Sequence, residues 1–191
     1  MKRLIAVILF LALTGCTAPG FSETTGGFVG GADAYREKGG DGGSSARPDY
    51  TPGAIDGRSY ENGFFGFGFT LPEGWEWSEN EKFELYTVKS GGSSLSFRAG
   101  AGSASGVYAE ALEKTPPALE DAGLSDVKAE EITIDLAGEP THAIKITAKI
   151  AKTGSELHIL TVFIERSGWY GEFNATSAGS DSTQEIINIL N

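Results

Sequence analysis

Hydrophobic and polar positions divide the 191-residue chain into three stretches. Residues 4–13 run without one polar side chain. Residues 17–57 sustain no apolar periodicity, and glycine pairs recur there at Gly26-Gly27, Gly30-Gly31, Gly39-Gly40 and Gly42-Gly43. From Ser59 onward the pattern becomes regular. Phe65, Phe67, Phe69 and Leu71 alternate on one side of a first strand. Gly66 and Gly68 fall on the other side, where a neighbour is expected to pack close. Pro72-Glu73-Gly74 turns the chain into Trp75 and Trp77, and residues 83–88 and 94–99 predict a hairpin across Gly91-Gly92. Ser105 is placed to cap a helix carrying Tyr108, Ala111, Leu112 and Leu119, which Pro116-Pro117 is expected to break or restart. Residues 127–136 read as a strand, with a turn near Gly138-Glu139-Pro140. Ile144, Ile146, Ala148 and Ile150 then alternate with Lys145, Thr147 and Lys149. Residues 157–165 follow, apolar on both parities over 160–164, the pattern of a central strand covered on both faces. Ser167-Gly168 leads into a strand over 169–176, and Gly179-Ser180-Asp181-Ser182 precedes a closing helix with Ile186, Ile187 and Leu190. The predicted fold class is α+β, an antiparallel β-sheet meander flanked by helices.

The apolar run at the N-terminus is too short to span a bilayer, which takes roughly 20 apolar residues. Preceded by Lys2 and Arg3, it suits the core of an export signal. It ends in Leu13-Thr14-Gly15-Cys16, which resembles the lipobox of bacterial lipoproteins. That resemblance implies a diacylglyceryl group on the Cys16 thiol, cleavage just before it, and acyl chains such as palmitate at the mature N-terminus. Cys16 is the only cysteine of the chain, so it has no disulfide partner within it, and an unpaired cysteine in an exported protein is explained by lipidation. Stable anchoring takes about two acyl signals, which the pathway supplies. The expected partner at this residue is membrane lipid, and the expected location is the extracytoplasmic side of the cell membrane.

Composition sets the organisation. Residues 1–15 are read as the lipoprotein signal, 16–57 as the lipidated cysteine with a flexible Gly/Ser-rich tether, and 58–191 as one α+β domain. The tether composition cannot bury enough apolar surface to offset ordering entropy. About 40 such residues reach roughly 35 Å at ~5–6 Å × √n. Residues 59–191 hold 15 of the 20 aromatic side chains, which places the one core there. Lys2 and Arg3 leave with the signal and none of the 26 acidic residues does, so the mature chain carries a net charge of −13. Such acidity argues against a nucleic-acid partner and against a polybasic grip on anionic lipid.

The opening of the domain, Tyr60-Glu61-Asn62-Gly63-Phe64-Phe65-Gly66-Phe67-Gly68-Phe69-Thr70-Leu71-Pro72-Glu73-Gly74-Trp75, resembles that of PsbP-like domains. These begin with an aromatic–Asn pair, a Gly-Phe strand and a Pro-x-Gly-Trp turn. The resemblance covers roughly residues 60–190 and implies a PsbP-like α/β/α sandwich around an antiparallel sheet. Its members act mostly by binding partners, and fold analogy assigns no function.

The domain offers little catalytic material. Its two histidines, His142 and His158, do not make a zinc set, which takes three or four clustered ligands. Neither a Gly-x-Ser-x-Gly elbow nor an EF-hand pattern is present. Gly100-Ala101-Gly102-Ser103-Ala104-Ser105-Gly106 precedes a helix and could offer N–H groups to an anion, but it lacks the Gly-Lys-Ser/Thr ending of a phosphate loop. It reads best as a strand-to-helix connector. Glu120-Asp121 reads as a solvated helix end, and Glu130 and Glu131 fall on opposite faces of a strand. Asn174-Ala175-Thr176 matches a glycosylation sequon by coincidence. Trp75, Trp77 and Trp169 are expected in core or turn packing ahead of a ligand groove. No catalytic, cofactor-binding or metal-ligating residue is assigned. The function expected is a membrane-anchored, non-catalytic binding or accessory module of the cell envelope, with an envelope protein as a possible partner. The alternative is an envelope hydrolase using His142 or His158 as base.

Overall fold

A computed structural model describes residues 48–89 and 91–191. Cys16, the export signal and the tether up to residue 47 lie outside the described residues. Ten strands and two helices follow in the order β1 (Ala54–Asp56), β2 (Ser59–Asn62), β3 (Phe67–Thr70), β4 (Trp75–Trp77), β5 (Leu85–Lys89), β6 (Ser93–Ala101), α1 (Ala104–Asp121), β7 (Leu124–Leu136), β8 (Glu139–Ile150), β9 (Glu156–Arg166), β10 (Trp169–Ala178) and α2 (Thr183–Leu190). The fold is α+β. A seven-stranded antiparallel sheet has the order β4-β5-β6-β10-β9-β8-β7, and β1-β2-β3 form a second, small sheet.

The large sheet is a meander that closes on itself. From β6, helix α1 carries the chain to the far edge, where β7 starts. Three hairpin steps then bring it back, and β10 zips beside β6 in unbroken register from Trp169↔Ala101 to Ser177↔Ser93. Two of those steps are tight two-residue turns. Ala137-Gly138 and Ser167-Gly168 have positive φ at both positions (53° and 85°, 53° and 78°), the type I′ geometry that suits the twist of a hairpin. Asp135 Oδ1 reinforces the first by accepting the Gly138 N–H at 2.8 Å.

Each face of the sheet has its own apolar cluster. On one face Val107, Tyr108, Ala111, Leu112 and Leu119 of α1 pack on Ile144, Ile146, Ile159 and Phe163. On the other, Ile186, Ile189 and Leu190 of α2 pack with Tyr60, Phe69 and Leu71 against Leu95, Phe97, Val162 and Phe173. Adjacent β9 residues serve both clusters, Val162 one and Phe163 the other, which is why this strand is apolar on both parities.

Two local expectations change. Helix α1 runs unbroken through Pro116 and Pro117. Each proline lacks the N–H for its i−4 carbonyl, yet the last turn is pinned by buried Leu119 and closed by Ala122 and Gly123 N–H bonds to the Ala118 and Glu120 carbonyls. Ser103 rather than Ser105 caps the start of α1, its Oγ accepting the Gly106 N–H at 3.3 Å. The turn before α2 caps that helix as expected, with Asp181 Oδ1 accepting the Thr183 N–H at 2.9 Å while Ser182 makes no side-chain bond.

The chain enters the domain through a hub on Glu84. This carboxylate accepts the Tyr50 and Tyr60 hydroxyls, the Gly53 N–H at 2.6 Å and the Asn62 amide at 3.1 Å. Burial, and then the Glu84 hydrogen bond, push both phenols well above the ordinary tyrosine range, so they remain donors. The Tyr50 ring lies among Phe64, Phe65 and Trp169, and the Trp169 indole donates to the Pro48 carbonyl at 3.0 Å. Residues 48–53, in the stretch whose composition reads as tether, are thus fastened to the domain.

Candidate functional site

A groove of about 550 Å³ opens where the start of α1 crosses the ends of β8 and β9. Ala104, Ser105 and Tyr108 line it from α1, Glu131 from β7, Pro140 to His142 from β8, and Phe163 to Glu165 from β9. Its body is apolar and its rim carries two carboxylates. Tyr108 is the centre of the site. Its ring meets Phe163 edge-on at 5.7 Å and His142 at 6.1 Å, and its hydroxyl donates to Glu131 Oε2 at 2.8 Å. Desolvation, followed by the Glu131 hydrogen bond and charge, pushes this phenol up to about 12.

The Gly-rich connector before α1 presents no anion site. Gly102 N–H donates to the Gly168 carbonyl at 2.9 Å, and Ala104 N–H donates to Glu165 Oε2 at 2.7 Å. The positive end of the helix is therefore already matched by the protein's own carboxylate.

The two histidines sit on opposite faces of the sheet. His142 is exposed in the lining of the groove, and among the described residues no hydroxyl or carboxylate is hydrogen-bonded to it. His158 is buried in β9, paired across the sheet with Ser177 and Thr147. Its Nε2 lies 3.5 Å from Glu156, and its Nδ1 lies 3.9 Å from Asp181 without a hydrogen-bond partner. The Ser177 hydroxyl is turned to accept the Ser182 N–H, so it is not poised on the imidazole. Asp181 is committed elsewhere: burial pushes its carboxyl up, but hydrogen bonds from Lys145 and Thr183 outweigh that and hold it well below the ordinary range. The groove lining holds the Ser105 and Thr141 hydroxyls, His142 and two carboxylates, but among the described residues no hydrogen bond joins the imidazole to any of them, so no nucleophile–base pair is formed.

The remaining candidates are structural. Trp75 is wholly buried, and its indole donates to Glu185 Oε1 at 3.0 Å; that carboxylate also takes Lys89 at 2.7 Å. Trp77 donates to the Gly57 carbonyl at 2.8 Å, and neither tryptophan lines the groove at the start of α1. The Asn174 amide donates to Thr161 across an interior pair of strands, which takes it out of reach of glycosylation. Glu120 and Asp121 are exposed at the end of α1. Among the described residues no group of three or more His, Cys, Asp or Glu side chains is placed to hold a metal, and no helix is long and apolar enough to cross a membrane.

Sequence reasoning placed Tyr108 on the helix and Glu131 on the strand but did not bring them together. Their meeting depends on the crossing of α1 over β7 to β9, which no local pattern encodes.

The sequence matches no family model and no curated protein. Among solved structures, the chain is similar to LpqN, described as involved in cell envelope biogenesis of Mycobacterium tuberculosis. The identity is 16% and the TM-score 0.37, over 64% of this chain and 78% of that one. A likeness of that degree assigns neither family nor role.

Proposed function

We propose that this protein is a lipid-anchored binding or accessory module of a bacterial cell envelope, tethered through Cys16 on the extracytoplasmic side, with the groove at the start of α1 as its ligand site. The anchor is supported by the run of ten apolar residues ending in Leu13-Thr14-Gly15-Cys16 and by the absence of any other cysteine from the sequence. The observation that carries binding over turnover is the groove itself: an open apolar trough with fixed carboxylates on its rim and no hydrogen-bonded nucleophile–base pair. The acidic mature chain keeps such a domain soluble at a membrane surface. A PsbP-like kinship belongs to the same proposal. It is supported by the opening motif over residues 60–75 and by the order of elements from α1 to α2.

Fractionation of cells producing the native chain and the Cys16→Ala chain tests the anchor. Native protein is expected in the membrane fraction and the variant in the soluble fraction. Equal membrane association of the two would overturn it.

A further inference from the structure

We propose that the groove beside Tyr108 takes an organic cation, an ammonium or guanidinium head carried on an apolar body. This rests on the binding reading above and adds the chemistry of what is bound.

Of the groove's lining residues, two are carboxylates and none is Lys or Arg. Each carboxylate is held in place by one oxygen: Glu131 Oε2 by the Tyr108 hydroxyl and Glu165 Oε2 by the Ala104 N–H. Among the described residues neither Glu131 Oε1 nor Glu165 Oε1 takes a hydrogen bond, so each rim group has an oriented oxygen left to accept one. The helix start offsets part of the Glu165 charge. Glu131 takes its one hydrogen bond there from the neutral Tyr108 phenol.

The lining also holds Ala104, Pro140, His142 and the rings of Tyr108 and Phe163, which meet edge to face. Ring faces attract cations, Arg and ammonium groups included. A ligand with an anionic head would meet two carboxylates of its own sign. A purely apolar ligand would strip water from both and give no hydrogen bond in return. An amphipathic cation suits the apolar body and adds at the rim the opposite charge that a neutral hydrogen-bond donor lacks. The −13 charge of the mature chain raises the local concentration of such ligands and makes their capture salt-dependent.

The test uses ¹⁵N-labelled protein from residue 16 onward with Cys16→Ser, titrated with hexylammonium, hexanol and hexanoate, which share one body. Hexylammonium is expected to move the amide signals of Ser105, Tyr108, His142 and Phe163, and hexanoate to leave them still. The Glu131→Gln, Glu165→Gln double variant is expected to weaken hexylammonium about tenfold or more, since a hydrogen bond to a charged group is lost at each end. The side-chain carbonyl that remains after Glu165→Gln can still accept the Ala104 N–H, and Glu131→Gln alone provides a second variant should the double one fold poorly. If hexanol matches hexylammonium in both proteins, the groove binds apolar bodies and the cation assignment falls while the binding reading stands. If none of the three moves the groove signals, both fall.

Discussion

Glu84 carries the sharpest energetic prediction. Its carboxylate is the common acceptor for Tyr50, Gly53, Tyr60 and Asn62, and the side chains of Tyr60 and Asn62 have no solvent exposure at all. Truncation to alanine takes that acceptor away from all four donors. The Tyr50 hydroxyl and Gly53 N–H lie where water can replace the lost partner. The Tyr60 hydroxyl cannot find one. It keeps the Asn62 amide as a donor to it but has nothing to donate to, and the Asn62 carbonyl oxygen is already taken by the Phe65 N–H. A buried unsatisfied donor costs about 1–3 kcal/mol, and hydrogen bonds to a charged acceptor are worth about 1.5–3 kcal/mol each. With the two exposed bonds largely replaced by water, Glu84→Ala should destabilise the domain by about 3–4 kcal/mol. For a domain of this size that is a fall in Tm of roughly 10 °C. Tyr50→Phe removes two part-buried bonds, the one donated to Glu84 and the one accepted from the Asn62 amide at 2.9 Å, and should cost about 1–2 kcal/mol. It should also release residues 48–53, raising proteolytic cleavage there before the domain unfolds. The assay is urea unfolding of the chain from residue 16 with Cys16→Ser, with limited proteolysis alongside. A Glu84→Ala loss under about 1 kcal/mol, or a loss equal to that of Tyr50→Phe, would refute the hub reasoning.

Three further outcomes are expected. Lys89 and the Trp75 indole hold the Glu185 carboxyl below its ordinary value near 4.5, so its contribution is present above that pH and lost as pH falls through the lower folded value. The stability gap between native protein and Glu185→Gln should therefore narrow from pH 6 to about pH 3 in denaturation curves; a constant gap would contradict the linkage. The Tyr108 phenol, pushed up to about 12, should fall only part of the way in Glu131→Gln when followed by ultraviolet or NMR titration, because desolvation, the larger cause, remains. Gly171 has no space for a side chain, because a Cβ there would lie 2.8 Å from both Phe97 and Ile164. Gly171→Ala should cost about 1–3 kcal/mol through overpacking, read as a lowered urea midpoint with an unchanged m-value.

Much of the sheet was legible in the sequence because alternation and turn chemistry agree. Ile144, Ile146, Ala148 and Ile150 alternate and do face α1, and Ser167-Gly168 makes the turn expected of it. Central β9 was recognisable from its apolar run on both parities. The misreadings share one cause, tertiary context overriding a local rule. Pro116 and Pro117 remain helical because Leu119 beyond them is anchored in the core. Nothing in the local pattern marks Glu84, and only the path of residues 48–53 across it makes it a hub. The groove was illegible for a related reason. Tyr108, Glu131, His142 and Phe163 come from four elements and meet only once the strand order and the helix crossing are known. The histidines, which the sequence singled out as candidate bases, lie on opposite faces, one exposed and one buried.

The central claim is that Cys16 anchors this domain to a membrane, and the mass of the N-terminal peptide of protein purified from membranes tests it most directly. The account predicts a peptide beginning at Cys16 and carrying a diacylglyceryl modification. A peptide that begins elsewhere, or an unmodified Cys16 thiol, would contradict it.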